Sequence, residues 1–184
     1  REGRRLVRDF AAGLRVLNAF SYTGSLSVAA ASGGASRVTS LDLVAKAHTR
    51  ARANFERSGI DAASHDFLVG DAGATLDRLA GRGHRYDLVI LDPPTFAAGK
   101  GRPFSALRDY AELVARALGV LESDGFLLAA SNAQRLSADD FDHALADGAA
   151  RCGATLRIVE RRGQPPDFPA VPALPESSYL KITL

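Results

Sequence analysis

The stretch YDLVILDPPTF, Tyr86–Phe96, decides the fold. Its apolar run Leu88–Leu91 shows no polar alternation, which is the pattern of a strand covered on both faces, as in the middle of a parallel sheet. The run ends abruptly. Asp92 sets a carboxylate at the strand's carboxyl end, while Pro93 and Pro94 bring no backbone N–H and forbid further ladder pairing. In an open α/β sheet that edge is where ligands bind. An acid, two carbonyls freed by the prolines and then the ring of Phe96 suit a flat, nitrogen-bearing group, offering acceptors for its N–H bonds and a surface for stacking. A strand merely stopped by prolines would read the same way.

Working outward from this stretch, short apolar runs alternate with segments of helical period. Upstream, Arg15–Ala19 reads as the first strand, Ser25–Ser32 as a small-residue helix, Arg37–Leu41 as the second strand and Ala45–Arg57 as a helix with Ala47, Ala51 and Phe55 inward. Phe67–Gly70 supplies the third strand and Ala72–Ala80 a helix, which makes Leu88–Leu91 the fourth strand. Downstream, the Gly- and base-rich segment 97–103, with Lys100 and Arg102, leads to a helix carrying Leu107, Tyr110, Ala111, Val114 and Leu118 on one face. Phe126–Ala130 follows as the fifth strand. Ser137 and Asp140 open a helix with Phe141, Ala144, Leu145, Gly148, Ala149 and Cys152 on its apolar stripe, closed by Gly153. Thr155–Val159 and Tyr179–Leu184 read as the last two strands, separated by the Pro-rich loop Arg161–Ser178. The expected fold is α/β: a doubly wound, Rossmann-like, mostly parallel sheet of seven strands with helices on both faces.

Composition narrows the function without naming it. The chain of 184 residues is 46% hydrophobic and 24% charged, an ordinary mix for one well-filled domain, and we expect residues 1–184 to form a single domain. Twenty-three Lys and Arg against twenty-one Asp and Glu leave +2, so only the distribution of charge can point to a nucleic-acid partner. One cysteine excludes an internal disulfide framework and suits a reducing cytoplasm. No apolar run nears the roughly 20 residues that span a bilayer, so no membrane partner is expected. The absence of methionine, position 1 included, leads us to expect the C-terminal part of a longer chain. The four histidines, His48, His65, His84 and His143, show no ligand spacing, and no metal is expected.

The strand ends carry the functional signal. The turn NAFSYTG, Asn18–Gly24, follows the first strand and holds one glycine instead of the G-x-G-x-x-G that brings a backbone against a pyrophosphate, which argues against a dinucleotide. Gly24 is the residue expected to admit close approach of a ligand. Asp42, eighteen residues past Gly24, stands where ribose hydroxyls are gripped, and Asp71 ends the third strand with an acceptor suited to an adenine amino group. A nucleoside without phosphates is implied.

These residues carry a resemblance. VLNAFSYTGS (Val16–Ser25), the acid of SLD (Ser40–Asp42), DPPTF (Asp92–Phe96) and the closing PPDFP and LPESSYLK (Pro165–Pro169 and Leu174–Lys181) together resemble the class I S-adenosylmethionine-dependent methyltransferases of the large-subunit ribosomal RNA group. The resemblance implies S-adenosyl-L-methionine as cofactor and RNA, in particular ribosomal RNA, as partner. It implies that Asn18, Phe20, Ser21, Tyr22 and Gly24 hold the methionine part, Asp42 the ribose and Asp71 the adenine, and that Asp92, Pro93 and Pro94 border the methyl, with Phe96 beside them. Arg1-Glu2-Gly3-Arg4 is similar to the end of a D-Q-R-x-x-R loop before the first strand, with its first two residues absent.

Chemistry within that group divides on one position. Relatives that methylate cytosine at carbon 5 carry a cysteine in S-C-S after the fifth strand; here the place reads Ser131-Asn132, which is more similar to relatives that methylate a guanine ring nitrogen. Asn132 is then the residue that orients a base edge, although an Asn at a strand end also suits a turn. Cys152, on an apolar stripe, is expected in the core. Arg1, Arg4, Lys100, Arg102 and Arg135 near the edge favour contact with RNA phosphates. A non-catalytic nucleotide- or RNA-binding domain of this fold and a small-molecule methyltransferase are the alternatives.

Overall fold

The computed structural model describes residues 1–97, 104–171, 173–174 and 177–184, without the side chains of residues 96, 97, 104, 106 and 107. In chain order the elements are α1 (Glu2–Phe10), β1 (Arg15–Ala19), α2 (Ser25–Ser32), β2 (Arg37–Asp42), α3 (Ala45–Arg57), β3 (Asp66–Val69), α4 (Ala72–Gly81), β4 (Tyr86–Leu91), β5 (Phe96–Ala97), β6 (Phe104–Ser105), α5 (Ala106–Leu118), β7 (Leu121–Ser131), α6 (Ala138–Arg151), β8 (Arg161–Arg162) and β9 (Lys181–Thr183). Among the described residues, seven strands form one sheet in the order β3-β2-β1-β4-β7-β9-β8, and β5 and β6 make a separate small hairpin. β9 alone runs antiparallel, against both β7 and β8.

The unbroken apolar run of β4 is explained by its position. It pairs in parallel with β1, Val16 opposite Leu88 and Ala19 opposite Leu91, and with β7 on its other side. Its residues alternate between two cores. Val89 and Leu91 face the core built with Tyr110, Val114, Phe141 and Leu145 of α5 and α6, whereas Leu88 and Ile90 face the one built with Leu6, Val7, Ala30, Leu128 and Ile182 under α1 and α2. All four are fully buried, so neither face tolerates a polar residue. Sequential strands leave β1 in one direction towards β3 and β4 in the other towards β8, which puts the switch point between the carboxyl ends of β1 and β4.

Four local differences from the expected elements have physical causes. The basic opening is no loop but the helix α1, whose only buried residues are Leu6 and Val7; its N-cap, Arg1, makes no side-chain cap, so neither a cap nor a long apolar stripe announces it. β7 starts at Leu121 instead of Phe126 because the turn-like Ser123-Asp124-Gly125 is carried through a register shift with Asp124 at φ 62°. Thr155–Val159 forms no strand: Ile158 and Val159 are 49% and 57% exposed, the first backbone bond is from the Val159 N–H to the Leu184 carbonyl, and the strand ladder begins only at Arg161 opposite Thr183. Cys152 is exposed at the C-cap of α6, three residues beyond Ala149 where the buried stripe ends, and so is not in the core. Gly153 closes α6 in the left-handed region, and the Ser137 hydroxyl accepts the Asp140 N–H, both as expected. No helix among the described residues is long and apolar enough to cross a membrane.

Candidate active site

The turn after β1 is strained by design. Within five residues Phe20, Tyr22 and Gly24 adopt φ of 66°, 46° and 78°, a left-handed backbone that costs a side-chain-bearing residue about 1–2 kcal/mol. Hydrogen bonds hold it there: Ser21 N–H to the Leu41 carbonyl (2.9 Å), Gly24 N–H to the Ser21 carbonyl (2.8 Å) and Asn54 Nδ2 to the Thr23 carbonyl (2.9 Å). Asp42 adds the fixing bond. One of its oxygens accepts the Tyr22 N–H at 2.7 Å and the other the Val44 N–H at 2.9 Å, so the acid clamps the turn to the start of α3. Beneath the turn, buried Asn18 donates to Ser27 Oγ (2.9 Å), itself bonded to Ser40 Oγ (2.8 Å). Asn18 Oδ1 and Ser21 Oγ are buried and have no partner among the described residues.

Gly24 serves a different purpose from the one its sequence suggests. A Cβ on it would lie 2.9 Å from Ala51 Cβ, inside α3, and not in the open crevice. The glycine is demanded by its φ and by close packing of the turn on α3.

The remaining site candidates follow β3, β4 and β7. Asp71 caps α4, its Oδ1 accepting the Ala74 N–H at 2.9 Å. Asp92 is open to solvent by area, yet surrounding atoms strip enough water from its carboxyl to raise its pKa above the usual range. Below it, buried Tyr110 donates to the Ala130 carbonyl at 2.8 Å, and burial with Asp92 nearby pushes its hydroxyl well up. Thr95 Oγ1 donates to Asn132 Oδ1 at 2.9 Å, which ties the segment after β4 to the one after β7. Lys181 Nζ pins that second segment from the other side by donating to the Ala133 (3.1 Å) and Tyr179 (2.6 Å) carbonyls, and burial lowers its pKa. The Phe96 side chain, Lys100 and Arg102 lie outside the described residues; the exposed Arg135 lies in the segment after β7.

Sequence reasoning passed over Leu43, Val44, Val69, Thr95, Tyr110 and Lys181. Leu43 and Val44 are 56% and 54% exposed at the edge, and Tyr22 is 64% exposed beside them. A signal for the first two existed. Val44 is the N-cap of α3, where Ser, Thr, Asp or Asn is strongly preferred, so an exposed apolar pair there stands out. Cys152, by contrast, is far from the crevice: the fourteen-residue α6 rises about 21 Å from the end nearest Asn132 to the end carrying the thiol.

A parallel sheet with a switch point, a strained first turn and acids at three successive strand ends define a nucleoside-binding α/β enzyme fold. The comparisons give the family. The profile described as S-adenosylmethionine-dependent methyltransferase matches residues 1–181, and the chain belongs to that family. Ribosomal RNA large subunit methyltransferase I of Klebsiella pneumoniae is 34% identical over 181 residues, 98% of this chain and 45% of that protein. The protein of the same name from Serratia proteamaculans is 35% identical, over 98% of this chain and 46% of its own length. The crystal structure of SMU.776 complexed with SAH matches with a TM-score of 0.93 and 33% identity, covering 99% of this chain and 47% of that one. The chain therefore spans about half the length of the curated relatives it matches.

The crevice suits S-adenosylmethionine. Two buried oxygens without partners lie under the first turn, Asp42 keeps lone pairs beyond the two it uses on backbone N–H groups, and Tyr22, Leu43 and Val44 offer apolar surface at the rim.

Proposed function

We propose that this chain is the methyl-transferring part of a cytoplasmic enzyme that uses S-adenosylmethionine to modify ribosomal RNA at a base nitrogen. The observation that carries this reading is the Thr95–Asn132 hydrogen bond. It joins the segments following β4 and β7 at the carboxyl edge, next to the switch point, and what they present beside Asp92 is a hydroxyl and an amide, with the chain's single thiol at the far edge.

When bound, the cofactor supplies a methyl group already activated on a sulfonium, so the protein's task is alignment. Asn18, Phe20, Ser21, Tyr22 and Gly24 would shape the place of the methionine part, Asp42 would accept from the ribose hydroxyls and Asp71 from the adenine amino group, with Leu43 and Val44 against the ring. Asp92 and the Pro93 carbonyl would accept hydrogen bonds from the target base, Pro94 would fix the turn of that segment, Phe96 would stack, and Asn132, held by Thr95, would read the base edge. Carbon 5 of cytosine needs a thiolate adduct to become nucleophilic, whereas a ring nitrogen needs only its lone pair desolvated and pointed at the methyl.

Two measurements test the reading. Incubated with tritiated cofactor, the chain should place label in ribosomal RNA; label in a metabolite extract, or in neither, would contradict it. Calorimetry should show S-adenosylhomocysteine binding weakened by at least about 1.5 kcal/mol, more than tenfold, in Asp42→Ala, because hydrogen bonds to a charged acceptor are lost. Unchanged affinity would remove Asp42 from the site.

A further inference from the structure

A second feature opens beside the crevice. On the helical face, α1 and α3 flank the short helix α2, leaving a groove of about 630 Å³ lined by Arg1, Arg4, Arg5, Arg8 and Arg57 together with uncharged residues of α2 and the end of α3. Its lining holds five arginines and no acid. Taking those five from the near-neutral whole leaves the rest of the chain net acidic, so the groove concentrates positive charge that the composition hides.

The arginines gain little from the protein itself. Arg5 pairs with Glu2 and Arg1 with Asp167, but Arg4, Arg8 and Arg57 form no ion pair with any described residue. Arg4 and Arg8 are like charges four apart on α1, an arrangement that destabilises a helix by some 0.2–0.5 kcal/mol per pair. Arg57 adds to this repulsion from the opposite bank. The floor stays open because α2 exposes only small side chains, Ser25 and Ser32, with Val28 half-buried between them. The groove also has a direction. Ser25 follows Gly24 of the strained turn, Asn54 bonds the Thr23 carbonyl of that turn, and the α1 backbone at Arg8 lies against Gly33 at the far end of α2.

We propose that this groove carries the phosphate backbone of the RNA whose base enters the crevice. The inference rests on the RNA reading above and adds where the strand runs. Arg4 and Arg8, one turn or about 6 Å apart, and Arg57 across from them contact phosphates, with Ser25, Ser32 and Ser58 as neutral donors. Such contacts set the register of the RNA and carry no sequence information.

The test measures binding of an unstructured single-stranded RNA oligonucleotide to the 184-residue chain across a salt series. Three proteins are compared: wild type, the triple variant Arg4→Gln, Arg8→Gln, Arg57→Gln, and a control triple, Arg78→Gln, Arg82→Gln, Arg85→Gln, which lines a separate pocket with the first residues of β1, β2 and β3. The groove triple should lose tenfold or more in affinity at low salt and lower the log–log salt slope by about 2, near 0.7 for each phosphate contact, with S-adenosylhomocysteine affinity retained. The control should match wild type. A groove triple that keeps the wild-type slope, or a control that loses as much, overturns the groove while leaving the RNA reading standing. A wild type that binds no RNA at any salt overturns both.

Discussion

Asp92→Ala is expected to lower turnover by about 10²-fold or more while S-adenosylhomocysteine binds with nearly wild-type affinity. The expectation comes from what surrounds the residue. Asp92 ends the central strand β4, has no cationic partner among the described residues, and stands above the buried Tyr110 hydroxyl that is spent on the Ala130 carbonyl. Its carboxyl is raised by lost water, so the fold holds an acid in a place that favours its neutral form. That arrangement makes sense for a group positioned to accept from a base. The sign of the pH effect follows. The accepting form is the ionised one, so activity should fall as pH drops through the raised pKa, at a higher pH than an ordinary carboxylate would give. Asp92→Asn should abolish that acid limb. Because the folded pKa stands above the unfolded one, ionisation costs the fold something as pH rises through the interval between them, and Asp92→Asn should be no less stable than wild type at neutral pH. A variant that loses cofactor affinity and turnover equally would place Asp92 in cofactor binding instead.

Gly24→Val is expected to cost stability on the order of 3 kcal/mol, the sum of a left-handed backbone for a β-branched residue and of overpacking against α3. The position has φ 78°, and its added Cβ would meet Ala51 at 2.9 Å. Gly59→Val carries the first contribution alone, since Gly59 has φ 73° with nothing within 4 Å of an added Cβ. Urea denaturation should find the Gly59 variant about 1–2 kcal/mol less stable than wild type and the Gly24 variant clearly worse. Equal losses would mean that the turn does not rest on α3 as described.

These residues also show how far the sequence could be read. Strand ends were legible because each acid follows an apolar run directly: Asp42, Asp71 and Asp92 all emerge at the carboxyl edge. That Asp71 caps α4 while Asp42 clamps the first turn was not legible, since spacing reveals where a carboxylate stands and not which N–H it meets. Gly24 stands out in the sequence, and a positive φ can be suspected from glycine, but the direction of its missing Cβ depends on Ala51, twenty-seven residues away in sequence. Cys152 was misplaced because a helical stripe does not announce its last turn, and one residue past Arg151 the side chain leaves the buried face. The Thr95–Asn132 bond and the Lys181 clamp join segments far apart in the chain, and no local pattern encodes such a meeting. The arginine groove lies between: its residues were visible as a basic opening, but only the packing of α1 beside α2 puts Arg57 across from them.

This site, as proposed, methylates a nitrogen and uses no thiol. Mass spectrometry of nucleosides from ribosomal RNA modified by the chain tests it most directly, run in parallel with Cys152→Ser. The expected product is a base methylated on nitrogen, in equal yield from both proteins, because Cys152 is exposed at the far end of α6. A product of 5-methylcytosine, or activity that disappears with Cys152, would contradict it.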